Sequence, residues 1–196
     1  MLHFYYGVMG SSKTAQLLMQ RYNYQQLGLR VALVKPAIDT RMGENLVYSR
    51  VGLSAPAELV LESGHSAREQ LLWLAARNAC SGFEYVFVDE AQFLTAEQVQ
   101  ELADMADELD IFCYGLRTDF QGNFFPGSAA LLRLAEEIHE VPGGLCWCGA
   151  KATMNTRVDP EGRVIKTGEQ VLIDNQQAIR YIGLCYRHWR QGISHA

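Results

Sequence analysis

The feature that most constrains the fold of this chain is a short glycine- and serine-rich segment near its amino terminus. Leu2–Tyr6 is an apolar run typical of a buried strand, and Gly7–Thr14 after it reads G-V-M-G-S-S-K-T. This nearly matches the motif G-x-x-x-x-G-K-[ST]. In that motif small residues let backbone N–H groups surround a phosphate, the lysine reaches further phosphates and the hydroxyl residue binds Mg²⁺. The pattern predicts a strand, a phosphate-binding loop and a helix over residues 14–26; the alternative is a turn that binds no ligand.

The loop departs from the motif at Ser12, which stands where the second glycine belongs. Because a Cβ at that point can crowd the loop, we expect Gly10 to supply the backbone freedom, and the effect of the serine stays open. The candidate nucleotide-binding residues of the loop are Gly7, Val8, Met9, Gly10, Ser11, Ser12, Lys13 and Thr14.

A second informative stretch is an apolar run that ends in two acids. Tyr85–Val88 is typical of a parallel strand covered on both faces, and Asp89 and Glu90 follow it directly. In P-loop proteins we expect this strand to lie beside the first one. That position would bring Asp89 to the Mg²⁺ held by Thr14 and leave Glu90 to act on a substrate. The alternative is that the two acids merely cap the next helix.

Two loops follow other predicted strands. The strand over residues 30–34 leads into a loop with Asp39 and Arg41, and the strand over residues 111–116 leads into an aromatic loop over residues 117–128. Ligands of open α/β sheets bind outside the carboxyl ends of the strands, so both loops are candidates for the ligand side. Equally, the charges could belong to a solvated loop. The aromatic residues could fill the gap beneath their loop or line a flat pocket for a base or a sugar.

The last quarter of the chain changes character at residues 142–144, Pro-Gly-Gly. We place a domain boundary there, with an ATP-binding P-loop domain over residues 1–141 and a zinc-binding domain over residues 142–196. The second domain carries a C-x-C pair and a C-x-x-H pair, which together match a closed, structural, tetrahedral Zn²⁺ site. A surface histidine without metal is the alternative. The candidate zinc ligands are Cys146, Cys148, Cys185 and His188.

Composition narrows the class of partner. A chain of 196 residues with 48% hydrophobic types can bury a good core, and a net charge of −5 with scattered basic residues argues against a general nucleic-acid surface. A small-molecule partner is favoured. The sequence has no basic leader and no apolar run near the roughly 20 residues that span a bilayer, so we expect no membrane and a cytoplasmic protein. Five cysteines, an odd count, fit metal binding in a reducing compartment.

The sequence therefore predicts an α/β fold, with a parallel-sheet, P-loop NTPase-like (RecA-like) domain followed by a small zinc-ribbon domain. The further elements are an edge strand at residues 60–61, helices over residues 66–78, 95–109 and 129–137, and strands near residues 154–158 and 170–173.

In this order, the segments resemble the thymidine kinases that join a P-loop domain to a zinc-bearing lasso domain. The resemblance covers nearly the whole chain and rests on Gly7–Thr14, Asp39–Arg41, Asp89–Phe93, Gly115–Phe120 and the two metal-binding pairs. It implies transfer of the γ-phosphoryl group of ATP to the 5′-hydroxyl of thymidine, giving dTMP in nucleotide salvage for DNA synthesis, and acceptance of deoxyuridine. It also implies Mg²⁺, structural Zn²⁺, inhibition by dTTP, and a homotetramer or dimer.

The resemblance also assigns roles to single residues. Glu90 would be the general base, Asp89 would hold Mg²⁺ through water, and Lys13 would bind the β- and γ-phosphates. Arg157 would help to order the lasso. Further nucleotide-binding residues would be Asp39, Arg41 and Gln92, and the nucleoside would contact Met9, Phe93, Leu116, Phe120 and Tyr181.

Two other functions stay open. One is a nucleotide-dependent switch whose basic zinc domain grips nucleic acid or a partner, although that domain lacks the interleaved aromatic residues of a single-strand binder. The other is a relative that binds nucleotides without catalysis. It is suggested by Ser12 and by the stretch Val171–Tyr181, which has no glycine where the family usually carries Ile-Gly-Gly.

Overall fold

The computed structural model describes residues 1–40, 43–77, 82–170 and 179–195. The strands are β1 Leu2–Tyr6, β2 Val31–Pro36, β3 Leu46–Tyr48, β4 Ser54–Pro56, β5 Leu59–Leu61, β6 Tyr85–Val88, β7 Asp110–Gly115, β8 Glu137–Glu140, β9 Met154–Val158, β10 Val164–Ile165 and β11 Arg180–Leu184. The helices are α1 Lys13–Gln26, α2 Ala67–Arg77, α3 Ala96–Met105, α4 Pro126–Leu134 and α5 Tyr186–Gln191, with a 3₁₀ turn at Ala91–Phe93.

Six strands form one parallel sheet in the order β5-β2-β6-β7-β1-β8. This confirms the α/β class and the edge position of β5. The expectation that the acid-bearing strand lies beside the first strand is wrong, because β7 pairs with both β1 and β6 and separates them. The carboxyl ends of all three strands still meet at one edge of the sheet, since the strands are parallel.

Helices cover both faces of this sheet. Leu17 and Leu18 of α1 pack with Leu33, Phe87 and Phe112 on one face. On the other face, apolar residues of α2, α3 and α4 pack with the side chains that alternate with these along the same strands. Burial on both faces explains why β2, β6 and β7 are nearly continuous apolar runs. No helix in the described part of the chain is long and apolar enough to cross a membrane.

A second, antiparallel sheet has the order β10-β9-β11 and lies in the last quarter of the chain. The strand predicted at residues 154–158 is confirmed as β9, whereas β11 was not predicted. Of the strand predicted over residues 170–173, Gln170 lies in a bend and the other three lie outside the described residues.

Two helices end earlier in the structure than the sequence predicts. The helix predicted to continue to residue 109 ends at Met105. The helix predicted over residues 129–137 occupies Pro126–Leu134, and Glu137–Glu140 forms β8, which pairs with β1. The sequence of β8, E-I-H-E, has no apolar run because the strand lies at the sheet edge with most of its residues exposed.

Candidate active site

The phosphate loop joins β1 to α1 through two left-handed backbone positions. Gly10 has φ 81°, as expected from the sequence, and Ser12 has φ 62° at the amino end of α1. The motif glycine therefore corresponds to a position where glycine is conformationally favoured, and serine there carries a cost of about 1–2 kcal/mol. The Ser12 side chain is exposed, so it extends from the loop without crowding it.

The lysine of the loop folds back over the backbone before it. Lys13 Nζ donates to the carbonyl oxygens of Gly7 at 3.2 Å and Val8 at 2.9 Å. A Cβ on Gly7 would lie 2.4 Å from Ser11 Oγ and 3.2 Å from the carbonyl oxygen of Val141, so a larger residue there would require Ser11 to move. These contacts place the ammonium group at the loop, next to the amino end of α1, where a phosphate would be bound.

The loop and the acid pair face each other at the carboxyl edge of the sheet. Thr14 Oγ1 donates to the Asp89 carboxylate, at 3.2 Å from Oδ1 and 3.0 Å from Oδ2. Burial, reinforced by the negative charge of Glu90, raises the pKa of Asp89 to about 7 despite the hydrogen bond from Thr14 and the nearby Lys13. A buried carboxylate beside a hydroxyl is an all-oxygen donor set, which fits Mg²⁺.

Glu90 is held in an uncommon conformation. Its φ is 50°, in the left-handed region, where a non-glycine residue is strained. The amide of Gln92 donates to Glu90 Oε2 through Nε2 and accepts from the backbone N–H of Leu116 at 2.9 Å through Oε1. Gln92 is buried, and a Cβ on Gly115 would lie 2.8 Å from its Oε1. Gln92 thereby links Glu90 to the residue that follows β7, and its predicted contact with nucleotide stays a prediction.

The predicted nucleoside contacts lie around the same edge. The Phe93 ring packs edge-on against Phe125, with centroids 5.6 Å apart. Leu116 follows β7 directly. Phe120 is buried, and Arg157 covers its ring at 3.7 Å, so its exposed area for stacking on a base is small.

Two polar residues of β9 connect the second sheet to this site. Asn155 accepts from the backbone N–H of Met9 at 2.8 Å and donates to the carbonyl oxygen of Thr118 at 2.7 Å. Arg157 donates through Nε and Nη2 to the Tyr181 hydroxyl at 2.9 and 2.7 Å. Both are almost fully buried. Arg157 was expected from the resemblance to help order the lasso. Asn155 was missed, because nothing in the sequence of β9, M-N-T-R-V, marks it as a residue that contacts the phosphate loop.

The four predicted zinc ligands lie together. Their ligand atoms are all within 4.8 Å of one another, in Cys146, Cys148, Cys185 and His188. Cys146 Sγ lies 3.3 Å and Cys185 Sγ 3.5 Å from His188 Nδ1. Burial opposes ionisation of Cys146, but backbone N–H groups of the cluster and His188 lower its pKa to about 6. Three thiols and one imidazole in this arrangement fit a closed Zn²⁺ site.

The loop after β2 is only partly described. Asp39 Oδ2 lies 3.3 Å from Nζ of Lys35, a lysine whose side chain is only 1% exposed. Arg41, the other candidate of this loop, lies outside the described residues. Asp39 therefore neutralises a buried ammonium group, and its predicted contact with nucleotide stays a prediction.

Comparison with known proteins agrees with this geometry. A thymidine kinase from Yersinia pseudotuberculosis is 42% identical over 197 aligned residues, which cover 100% of this chain and 97% of the relative. One from Salmonella typhimurium is 41% identical over 194 residues, covering 98% and 91%. The alignment with a solved DNA replication initiation factor covers 71% of this chain and 39% of that factor's chain at 17% identity. Its TM-score of 0.39 is too low to support a conclusion about this chain. Residues 1–189 match the family model described as thymidine kinase, and the chain therefore belongs to the thymidine kinase family.

Proposed function

We propose that this chain transfers the γ-phosphoryl group of ATP to the 5′-hydroxyl of thymidine, giving dTMP and ADP. The observation that supports this most directly is the contact of Thr14 with Asp89, which brings the phosphate loop and the acid pair to one edge of the sheet. Family membership favours this reaction over a nucleotide-dependent switch that binds nucleic acid. Deoxyuridine, which differs from thymidine by one methyl group, is proposed as a second substrate.

In this proposal each group of the site has one task. The backbone of Gly7–Thr14 and the Lys13 ammonium group bind the phosphates, and Thr14 and Asp89 would hold Mg²⁺. Mg²⁺ would supply neutralisation of the charge on the phosphates. The Glu90 carboxylate takes the proton of the 5′-hydroxyl group. The hydroxyl oxygen forms a bond to the γ-phosphorus, while the bond between that phosphorus and the bridging oxygen breaks and releases ADP. Gln92 is a positioning residue, because it holds Glu90 and touches no reacting atom.

The second sheet and the segment before Tyr181 are proposed to cover the nucleoside. The base would pack on Met9, Phe93 and Leu116, and Phe120 would support the pocket from beneath through Arg157. The Cys3His cluster would bind structural Zn²⁺ and hold the ends of this domain, residues 142–196, together. The homo-oligomeric state, inhibition by dTTP and the cytoplasmic location stay predictions carried by the family resemblance.

The experiment that tests this function is thymidine phosphorylation by the purified chain with ATP and Mg²⁺, compared with Glu90→Gln. Removal of a general base lowers turnover by about 10²–10⁴-fold, while ATP affinity should change little because Glu90 acts on the nucleoside side. Glu97→Gln is the matched control: this acid is an exposed residue in the first turn of α3, outside the group of side chains assigned to the reaction. Turnover of Glu90→Gln at the wild-type rate would refute the assigned role, and no turnover by the wild-type chain would refute the activity.

A further inference from the structure

A second group of metal-ligand side chains lies on β1 and the edge strand β8, outside the nucleotide site. His3 of β1 pairs with Glu137 of β8, and Tyr5 pairs with His139, so that His3, Glu137 and His139 occupy one face of the sheet edge. Their ligand atoms lie within 4.8 Å of one another. The phosphate loop follows the other end of β1, so the two sites are separate.

The distances in this group match those between ligands of one metal ion. His3 Nδ1 lies 3.3 Å and His139 Nε2 lies 2.9 Å from the same oxygen, Oε2 of Glu137. Ligand atoms that sit about 2.0–2.2 Å from a tetrahedral Zn²⁺ are about 3.3–3.5 Å apart. The distance from His3 Nδ1 to Glu137 Oε2 already has this value. The distance from His139 Nε2 to the same oxygen is a few tenths of an ångström shorter, and a small rotation of the exposed Glu137 side chain would lengthen it.

An independent observation concerns the hydrogen bonding of His3. The residue is 9% exposed, and within the described part of the chain its buried Nδ1 atom has no hydrogen-bond partner, although the Glu137 carboxylate is near. A buried ring nitrogen normally has a hydrogen-bond partner. His3 Nδ1 lies near a carboxylate but is misaligned for a hydrogen bond to it, which suggests that it binds a different partner. A metal ion placed between Nδ1 and Oε2 would satisfy both atoms.

The two imidazole rings are held in place by aromatic packing. The His3 ring stacks on Phe112 with centroids 4.6 Å apart, and the His139 ring stacks on Tyr5 at 4.5 Å. On the far side of the His3 ring, Asp110 Oδ1 lies 3.9 Å from Nε2. The same oxygen accepts from the Met1 ammonium group at 2.9 Å, so its negative charge is paired with that group and is not available to the imidazole alone.

The geometry points to a transition-metal site formed by His3, Glu137 and His139, with one coordination position open to solvent or a further ligand. Two imidazole nitrogens and one carboxylate oxygen favour Zn²⁺, Co²⁺ or Ni²⁺ over Mg²⁺ and Ca²⁺, which prefer oxygen alone. A bound ion would fasten the edge strand β8 to β1. This site is independent of the thymidine kinase reaction and of the Cys3His cluster.

The test is titration of the untagged, full-length, zinc-loaded chain with Co²⁺, followed by calorimetry and visible absorption. We expect one additional equivalent of Co²⁺, with the weak visible bands of nitrogen and oxygen ligands and no thiolate charge-transfer band. In His139→Ala the affinity for this equivalent should fall by more than about 100-fold, since loss of an outer partner alone costs about 10–100-fold. Glu137→Gln should weaken binding in the same direction.

The matched control is His65→Ala. His65 Nδ1 lies 3.0 Å from Glu62 Oε2, so this pair resembles half of the site, and the described residues place no third metal-ligand side chain beside it. Its removal should leave Co²⁺ binding unchanged. Absence of the additional equivalent in the wild-type chain would overturn the proposal. So would an equivalent that survives in both His139→Ala and Glu137→Gln, or one that shows only the thiolate charge-transfer band of the Cys3His cluster.

Discussion

The two sheets of this chain are stabilised by different kinds of interaction. In the six-stranded sheet, strands such as β6 and β7 bury apolar side chains on both faces against helices. In the three-stranded sheet, β9 is buried throughout, yet its central residues Asn155, Thr156 and Arg157 are polar. The first sheet depends on apolar area, which many sequences can supply. The second depends on the hydrogen bonds of Asn155 and Arg157 and on the Cys3His cluster, where single residues cannot be exchanged freely.

The largest effect is expected when cysteine is replaced by alanine once in each sheet region, which tests directly whether the two regions depend on different interactions. Cys185→Ala removes one of the four proposed zinc ligands, and structural Zn²⁺ contributes about 10–16 kcal/mol to small metal-dependent folds. The last quarter should become protease-sensitive and lose zinc, while the far-ultraviolet circular dichroism of the larger sheet persists. Cys113→Ala, in the buried centre of β7, should keep the zinc. Equal zinc loss in both variants would contradict the comparison.

Asn155→Leu tests whether hydrogen bonds, rather than apolar area, hold β9 to the phosphate loop. It leaves the Met9 N–H and the Thr118 carbonyl without their partner, at a cost of about 1–3 kcal/mol for each buried group that stays unpaired. We expect a lower midpoint in urea and a higher KM for thymidine. Asn123→Leu, at an exposed asparagine, is the control. If leucine at residue 155 preserves stability, apolar packing suffices in this region as well.

The smallest effect is expected in the phosphate loop itself, from a pair of opposite substitutions. Ser12→Gly should stabilise the loop by about 1 kcal/mol, because φ 62° suits glycine better than serine. Gly10→Ala should destabilise it by a similar amount at φ 81°. Thermal unfolding midpoints with and without ATP measure both changes. A lower midpoint for Ser12→Gly would show that the serine makes a stabilising contact in the loop.

The same difference explains which features could be predicted from the sequence. The strands β1, β6 and β7 are apolar runs bounded by turns, and the residues of Gly7–Thr14 carry a motif of fixed spacing, so both were predictable. The edge strand β8 has no such pattern, since its residues are mostly charged and exposed. The position of β7 between β1 and β6 was missed because strand order is set by long-range packing.

The connections across the site were beyond local patterns. Met9 and Asn155 are 146 residues apart in sequence, and either residue alone reads as an ordinary loop or strand position. The hydrogen bond from Gln92 to Glu90 is local in sequence, but the second hydrogen bond of the Gln92 amide is with the backbone of Leu116, 24 residues away. Metal-binding pairs are the exception, because cysteine and histidine spacing is characteristic even when the fold between the pairs is unknown.

At the left-handed position of Glu90, the residue best suited to stability differs from the residue proposed for function. Glycine would adopt φ 50° without steric conflict and should make the chain more stable there, but it lacks the carboxylate that we propose receives the proton of the 5′-hydroxyl. A selection for heat resistance alone should therefore favour glycine at residue 90 and give a robust protein that no longer turns over substrate, whereas selection for growth on thymidine should restore glutamate.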